Sequence, residues 1–313
     1  MTPRVSVVVA TRNRAARLNA LLESLDLQTF RDFEVVVCDD GSTDGTAEIL
    51  AQPRDFELLT VSTSGGLGPA RARNRALDVA RGELIAFTDD DCVAGPDWLE
   101  AGVEAWGGDA NRFVQGAVAP IAAERHRLGA FSYSIVVAGP TPNYECANVF
   151  YPRALLDRVG GFDDTYARTG EDCDLGWRVR AAGGRPVFAA DARVEHAVVH
   201  LGVRGYLRRL WSWSYAMRPY ADHPQLRSHL HHRVFWNFSH YLLVRALLGA
   251  LLARRRWAWP LAYWLGKWFV AYEIAESRAH AGTPWLAPWW VVRDVVEMTA
   301  CARGAIRYRA PVL

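Results

Sequence analysis

The chain has 313 residues, half of them hydrophobic, and a formal net charge of +2. That length holds one large domain with an extension, or two domains, around a sizeable core. A charge so close to neutral gives no general attraction for nucleic acid, so no nucleic-acid partner is expected.

The first hundred residues alternate short apolar runs with helical spacing. Val5–Ala10 is a continuous apolar run, as buried parallel strands are. Residues 15–27 place Leu18, Leu21, Leu22 and Leu25 on one helical face. Glu34–Cys38 reads as a second strand, Thr46–Ala51 as a helix, Leu58–Val61 as a third strand, Ala70–Ala80 as a helix and Leu84–Phe87 as a fourth strand. Strand–helix alternation with short links predicts right-handed crossovers and a parallel sheet. Ligands then gather at the carboxyl ends of the strands. From about 113 to 200 the pattern loosens: strand-like pieces (Phe113–Val118, Val149–Tyr151, Val187–Ala189) surround a helix near Asp172–Ala182. Beyond about 205 strand patterns vanish and tryptophan and arginine become dense. The expected division is therefore residues 1–205 as an α/β domain and 206–313 as a helical extension.

Polar groups collect where a parallel sheet would put its site. Asp89-Asp90-Asp91 ends the fourth strand. Clustered carboxylates repel one another by roughly 1 kcal/mol per pair in water and more when half buried, and Mg²⁺ or Mn²⁺ with phosphate ligands relieves that repulsion. Asp39-Asp40-Gly41-Ser42-Thr43-Asp44-Gly45-Thr46 follows the second strand. An N-cap explains Asp44, but not two carboxylates at a strand end; a carboxylate there can accept the N–H of a nucleobase. Gly65-Gly66-Leu67-Gly68 fails as a dinucleotide loop, because Arg71 stands where a third glycine belongs and the segment follows the third strand. Glu171-Asp172-Cys173-Asp174 opens a helix, where acids are favoured in any case; the functional reading is a general base already ionised at neutral pH. His196 and His200 follow an apolar stretch, and a site with two aspartates accepts a histidine as third ligand.

Together these segments resemble the family 2 glycosyltransferases of the GT-A fold over about residues 3–200. The resemblance rests on Val5–Arg14, Asp39–Thr46, Ala72-Arg73-Asn74, Phe87–Asp91, Gly160-Gly161-Phe162-Asp163 and Glu171-Asp172, in that order and spacing. It implies a Rossmann-like, mostly parallel sheet flanked by helices. It implies that Thr11, with Asn13, and Asp40 hold the base of the nucleotide, that Arg73 lies beside the nucleotide, and that Asp90 reaches the ribose. Asp89 and Asp91 would form the metal motif, with His196, 24 positions beyond Asp172, as third ligand and His200 as the weaker alternative. Asp172 would be the catalytic base, and Asn148 and Glu171 would line the sugar or acceptor site. Cys92 departs from the residue that many members carry there. The implied reaction is an inverting, Mg²⁺- or Mn²⁺-dependent transfer from a nucleotide-diphosphate sugar, with uridine, thymidine or guanosine as the base. The acceptor hydroxyl would belong to a carbohydrate, a lipid-linked molecule or a small molecule, in the synthesis of cell-envelope polysaccharide, glycolipid or another glycoconjugate.

Three other readings compete. A sugar-nucleotide pyrophosphorylase would share the fold class, but the glycine-rich, lysine-containing start it needs is absent. An aspartyl-nucleophile phosphatase would use Asp89-x-Asp91 near the start of its fold with a downstream lysine; Lys267, the sole lysine, lies in the extension and Asp39-Asp40 is left without a task. A degenerate sugar-nucleotide binder would not need Asp91, Asp172 and His196 intact.

The extension carries two apolar stretches, Val234–Ala253 and Trp257–Ala275, around Arg254-Arg255-Arg256. In the first, ten Val, Leu or Phe residues contribute about −3 to −6 kcal/mol to insertion and Arg245 returns about +3. Asn237, Tyr241 and Arg245 share one stripe, which favours an amphipathic helix lying at a surface. Trp257, Trp259, Trp264, Trp268, Trp285, Trp289 and Trp290 suit a water–lipid boundary, and the arginine triplet suits anionic headgroups. A core-packing helical subdomain is the alternative. Five cysteines, odd in number and without a Cys-x-x-Cys pair, indicate a reducing compartment and no structural zinc. The first apolar run is short and soon followed by Arg12 and Arg14, unlike a signal peptide. The expected location is the cytoplasm, with peripheral contact at the inner membrane face.

Overall fold

The computed structural model describes residues 2–166, 168–252, 260, 262–263 and 287–313. The chain divides into two compact units, residues 1–122 with 134–197, and residues 123–133 with 198–313. The second thus takes in a short segment before residue 134 that composition does not flag.

In the first unit the strands are β1 (Val5–Thr11), β2 (Phe33–Asp39), β3 (Glu57–Ser62), β4 (Leu84–Phe87), β5 (Cys92–Ala94), β6 (Arg112–Pro120), β8 (Val149–Pro152) and β9 (Arg185–His196). They form one sheet in the order β3-β2-β1-β4-β8-β6-β9-β5. β3, β2, β1 and β4 are parallel, as the apolar runs predict. β8 runs antiparallel to β4 and β6, and β5 antiparallel to β9. β4 and β5 are adjacent in sequence yet four places apart in the sheet. In a flat sheet those four steps would span about 19 Å, whereas the five Cα steps from Phe87 to Cys92 reach about 17 Å at full stretch. The Asp89 carbonyl also accepts the Cys92 N–H at 3.1 Å, which shortens the link. The sheet must therefore curl, bringing its far edge back towards the end of β4.

Val5, Val7, Val9, Val35 and Val37 share a core with Leu18, Leu21, Leu22 and Leu25 of α1 (Ala15–Asp26) and with Trp98 and Leu99 of α4 (Trp98–Trp106). Elsewhere Phe87 meets Tyr151 and Phe162 edge-on, and Phe113 stacks on Tyr151. The remaining helices are α2 (Thr46–Leu50), α3 (Pro69–Leu77), α5 (Arg153–Val159) and α6 (Glu171–Ala181). α3 starts with proline in its first turn, where a missing N–H costs nothing.

The second unit pairs β7 (Ser132–Tyr133) with β10 (Val199–His200), which carries an exposed His200. Its helices include α7 (Gly202–Ala216), α8 (Arg218–Asp222), α9 (Phe238–Leu252) and α10 (Ala287–Tyr308). α10 approaches α7 closely enough at Gly304 that a Cβ there would lie 2.2 Å from the Ser214 carbonyl oxygen. Asn237 precedes α9 and accepts the His240 N–H at 3.0 Å, and Arg245 donates to the Tyr241 hydroxyl at 3.1 Å. Arg254–Arg256, Trp257, Trp259, Trp264, Lys267, Trp268 and Trp285 lie outside the described residues. Among the described residues, no helix is long and apolar enough to cross a membrane.

Candidate active site

The curl of the sheet assembles the site. β5 pairs with β9 so that Cys92 sits opposite His196, which places the histidine beside the preceding Asp91. His196 Nε2 lies 3.3 Å from Asp91 Oδ1, with both side chains buried. On the other side of the ring, Nδ1 is 2.8 Å from the Ala197 carbonyl oxygen. A proton on Nδ1 satisfies that carbonyl and leaves the Nε2 lone pair facing Asp91, the arrangement a metal-binding histidine needs. One ligand atom each from Asp89, Asp91 and His196 lies within 4.8 Å of the others. Two carboxylates and an imidazole fit Mn²⁺ or Mg²⁺.

Two arginines divide the charge of the three aspartates. Arg14 reaches Asp91 Oδ2 at 2.6 Å and Asp90 Oδ1 at 3.0 Å. It has no assigned role in the sequence, although it stands in the same motif as Thr11 and Asn13. Arg73 was expected beside the nucleotide. Its buried fork donates to Asp89 Oδ1 at 2.7 Å, Glu171 Oε1 at 3.3 Å and Asp172 Oδ1 at 3.4 Å. Burial opposes its charge, but these acids outweigh that and raise its affinity for the proton.

The other acids differ by environment. Burial pushes Asp90 up to about 6, against Arg14 and the Thr11 hydroxyl, which donates to Asp90 Oδ2 at 2.8 Å. Glu171 and Asp172 both rise above the usual carboxylate range through burial, with Arg73 opposing. Asp172 Oδ2 also accepts the Cys146 N–H at 3.0 Å. That donor lies 26 residues upstream with no sequence signal to reveal it.

The strand ends β1 and β2 hold the remaining predicted residues. Asn13, at a positive φ of 53°, accepts the Thr43 N–H at 2.7 Å and ties the two loops together. Asp40 accepts the Thr63 hydroxyl (2.8 Å) and the N–H groups of Leu67 (3.0 Å) and Gly68 (3.1 Å). Burial alone would raise its pKa; those bonds and Arg12 prevail and hold it below the ordinary range. The glycine-rich segment therefore serves as a donor set for Asp40. Gly41, at φ +72°, is packed so tightly that a Cβ would fall 2.6 Å from Gly65 Cα.

Asn148 does not fit its expected task. Its Oδ1 accepts the Trp98 indole N–H at 2.9 Å, and its Nδ2 donates to the Ala117 and Ala192 carbonyls, each at 2.8 Å. With 1% exposure and both amide hydrogens committed, it has no donor left for a sugar. Its place explains the assignment: it immediately precedes β8, near the segment that carries Cys146.

The motif pieces also bind one another. Asn74 donates to the Phe162 carbonyl and accepts the Phe162 N–H, both at 2.9 Å, which couples Ala72-Arg73-Asn74 to Gly160-Gly161-Phe162.

Known proteins agree with this architecture. The family model described as glycosyl transferase family 2 matches residues 6–153, and that described as glycosyl transferase family group 2 matches residues 84–275. A validoxylamine A glucosyltransferase of Streptomyces hygroscopicus is 33% identical over 220 residues, covering 58% of this chain and 52% of its own. Glycosyltransferase AglE of Haloferax volcanii is 30% identical over 203 residues, covering 60% and 65%. The chain thus spans between about half and two thirds of the length of these relatives. A mannosyltransferase from Pyrobaculum calidifontis, solved with GDP-Man and Mn²⁺, superposes with a TM-score of 0.61 at 24% identity, over 97% of this chain and 87% of its own. The likeness to that structure carries the fold, which is GT-A. The group 2 model spans more than half of the sequence, and the chain belongs to the family 2 glycosyltransferases.

Proposed function

We propose that the chain transfers a sugar, with inversion, from a nucleoside-diphosphate sugar to an acceptor hydroxyl. The observation that carries this reading is the meeting of Asp89, Asp91 and His196 within 4.8 Å, tied through Arg73 to Asp172. Mg²⁺ or Mn²⁺ held by those three residues would neutralise the charge that develops on the departing diphosphate. Each residue offers one ligand atom, so an ion that takes about six ligands keeps positions for phosphate oxygens.

Thr11, Asn13 and Asp40, at the ends of β1 and β2, face the nucleoside. Asp172 takes the proton of the acceptor hydroxyl as its oxygen attacks the anomeric carbon. Arg73 and the Cys146 N–H hold the two Asp172 oxygens in place. A raised pKa makes Asp172 a stronger base, at the cost of activity falling as pH drops through that pKa. Glu171, buried beside it, lines the acceptor side. One displacement inverts the configuration. The mannosyltransferase solved with GDP-Man and the validoxylamine A glucosyltransferase favour nucleotide-linked mannose and glucose as first donors to test. The helical unit would rest on the inner face of the cell membrane and meet a lipid-linked acceptor there.

The test is hydrolysis and transfer with UDP-, GDP- and dTDP-sugars in the presence of Mn²⁺. Chelation should abolish turnover. Asp172→Asn should lower kcat by about 10²–10⁴ with nucleotide binding retained. Turnover that survives the chelator, or an Asp172→Asn chain of full activity, would refute the reading.

A further inference from the structure

The helical unit holds a second group of ligating side chains. His240 comes from α9; Asp294 and Glu297 come from α10, three residues apart and so on one helical face. One ligand atom from each lies within 4.8 Å of the others. All three are buried, with exposures of 0%, 0% and 3%. Leu243, Ala246, Val291 and Met298 make the neighbourhood apolar. Carboxylates in such surroundings require pairing. Arg293, a third exposed, brings its Nε no closer than 3.9 Å to Glu297. Tyr263 donates its hydroxyl to Asp294 Oδ2 at 2.8 Å.

His240 turns this cluster into a site. Neither of its buried ring nitrogens has a hydrogen-bond partner, and neither does Glu297 Oε2. Yet His240 Nε2 stands 3.5 Å from that oxygen. Two ligand atoms held about 2.0–2.1 Å from a tetrahedral zinc lie about 3.4 Å apart. The Tyr263 hydroxyl then acts as the outer hydrogen bond that orients a ligating carboxylate. Such a donor set needs no paired cysteines, whose absence is the ground for expecting no structural zinc.

We propose that His240, Asp294 and Glu297 bind one divalent transition ion, zinc by preference, which fastens α9 to α10. The donor types match those of Asp89, Asp91 and His196, but here all three residues are buried beside apolar side chains, which disfavours Mg²⁺ with its retained waters and suits a zinc held by few ligands. The alternative is a bare ion pair between His240 and Glu297, and the site is independent of the transfer reaction.

The test uses the full chain with Asp91→Asn, which removes a ligand of the first cluster. Freed of metal by a chelator and then offered Zn²⁺ alone, this chain should take up one zinc and melt several degrees higher. X-ray absorption should show nitrogen and oxygen ligands with one imidazole. Adding Glu297→Gln should weaken zinc binding at least tenfold and remove the thermal shift. An Asp91→Asn chain that takes up no zinc, or whose zinc has sulfur or several imidazole ligands, would overturn the proposal even if Glu297→Gln fails to fold. Undiminished zinc binding by the folded double variant would overturn it too.

Discussion

Asp90 offers the most direct readout of charge in the site. Its carboxyl titrates near 6 in the folded chain against an ordinary 3.8, chiefly through burial. Between those values the folded chain binds more protons than the unfolded one, so stability falls as pH rises. The contribution is fully present below about pH 4 and lost above about pH 6. In metal-free protein, Asp90→Asn should therefore gain on the parent by about 3 kcal/mol above pH 6, and the difference should shrink towards pH 4. Thermal melts across this range check it, and a gap that does not change with pH would contradict it. Asp40 and Asp89–Asp91 were legible because they stand at the ends of recognisable strands, and Glu171 and Asp172 because they open a helix. Their partners were not: Arg14 meets Asp90 and Asp91, 76 and 77 residues away, and Arg73 meets Glu171 98 residues away. Periodicity carries no information on pairings at such separations.

Among the elements, β1, β2 and β4 were readable because strands buried on both faces are continuous apolar runs; β3, at the sheet edge and only partly buried, was readable from its short apolar run Leu58–Val61. β9 was not, beyond Val187–Ala189. Its pairing with β6 jumps from Gly116↔Ala189 to Ala117↔Arg193, and the inserted bulge Ala190-Asp191-Ala192 breaks the apolar run and disguises a strand twelve residues long. Asn148 clamps that bulge by binding the Ala117 and Ala192 carbonyls. The bulge in turn sets the register that brings His196 opposite Cys92. Asn148→Leu keeps the branching and heavy-atom count of the side chain but leaves two carbonyls and an indole N–H without this partner. It should cost about 3 kcal/mol, read as a lower denaturant midpoint with an unchanged slope. Unaltered stability with a raised KM for donor would instead restore Asn148 to the sugar site.

For the molecule as a whole, the exposed faces of the helical unit bear on where it works. On α9, Leu247, Leu248 and Leu251 are 55%, 50% and 75% exposed, an apolar patch of the kind that meets a partner or a lipid surface. The chain should float with vesicles containing anionic lipid at low salt. Leu247→Ser with Leu251→Ser should reduce the bound fraction about tenfold; recovery of all protein in the supernatant at any salt would refute membrane contact. In the catalytic unit, Arg73 has a wider consequence. It is buried and shared by Asp89 and Asp172, which the proposed mechanism puts at the leaving-group and acceptor ends of the reaction. The gap between the leaving group and the incoming alcohol is thus gauged when the chain folds, before any reactant arrives. Mild stress cannot retune that gauge by degrees. A change of product must be written into surrounding loops, leaving this ruler untouched.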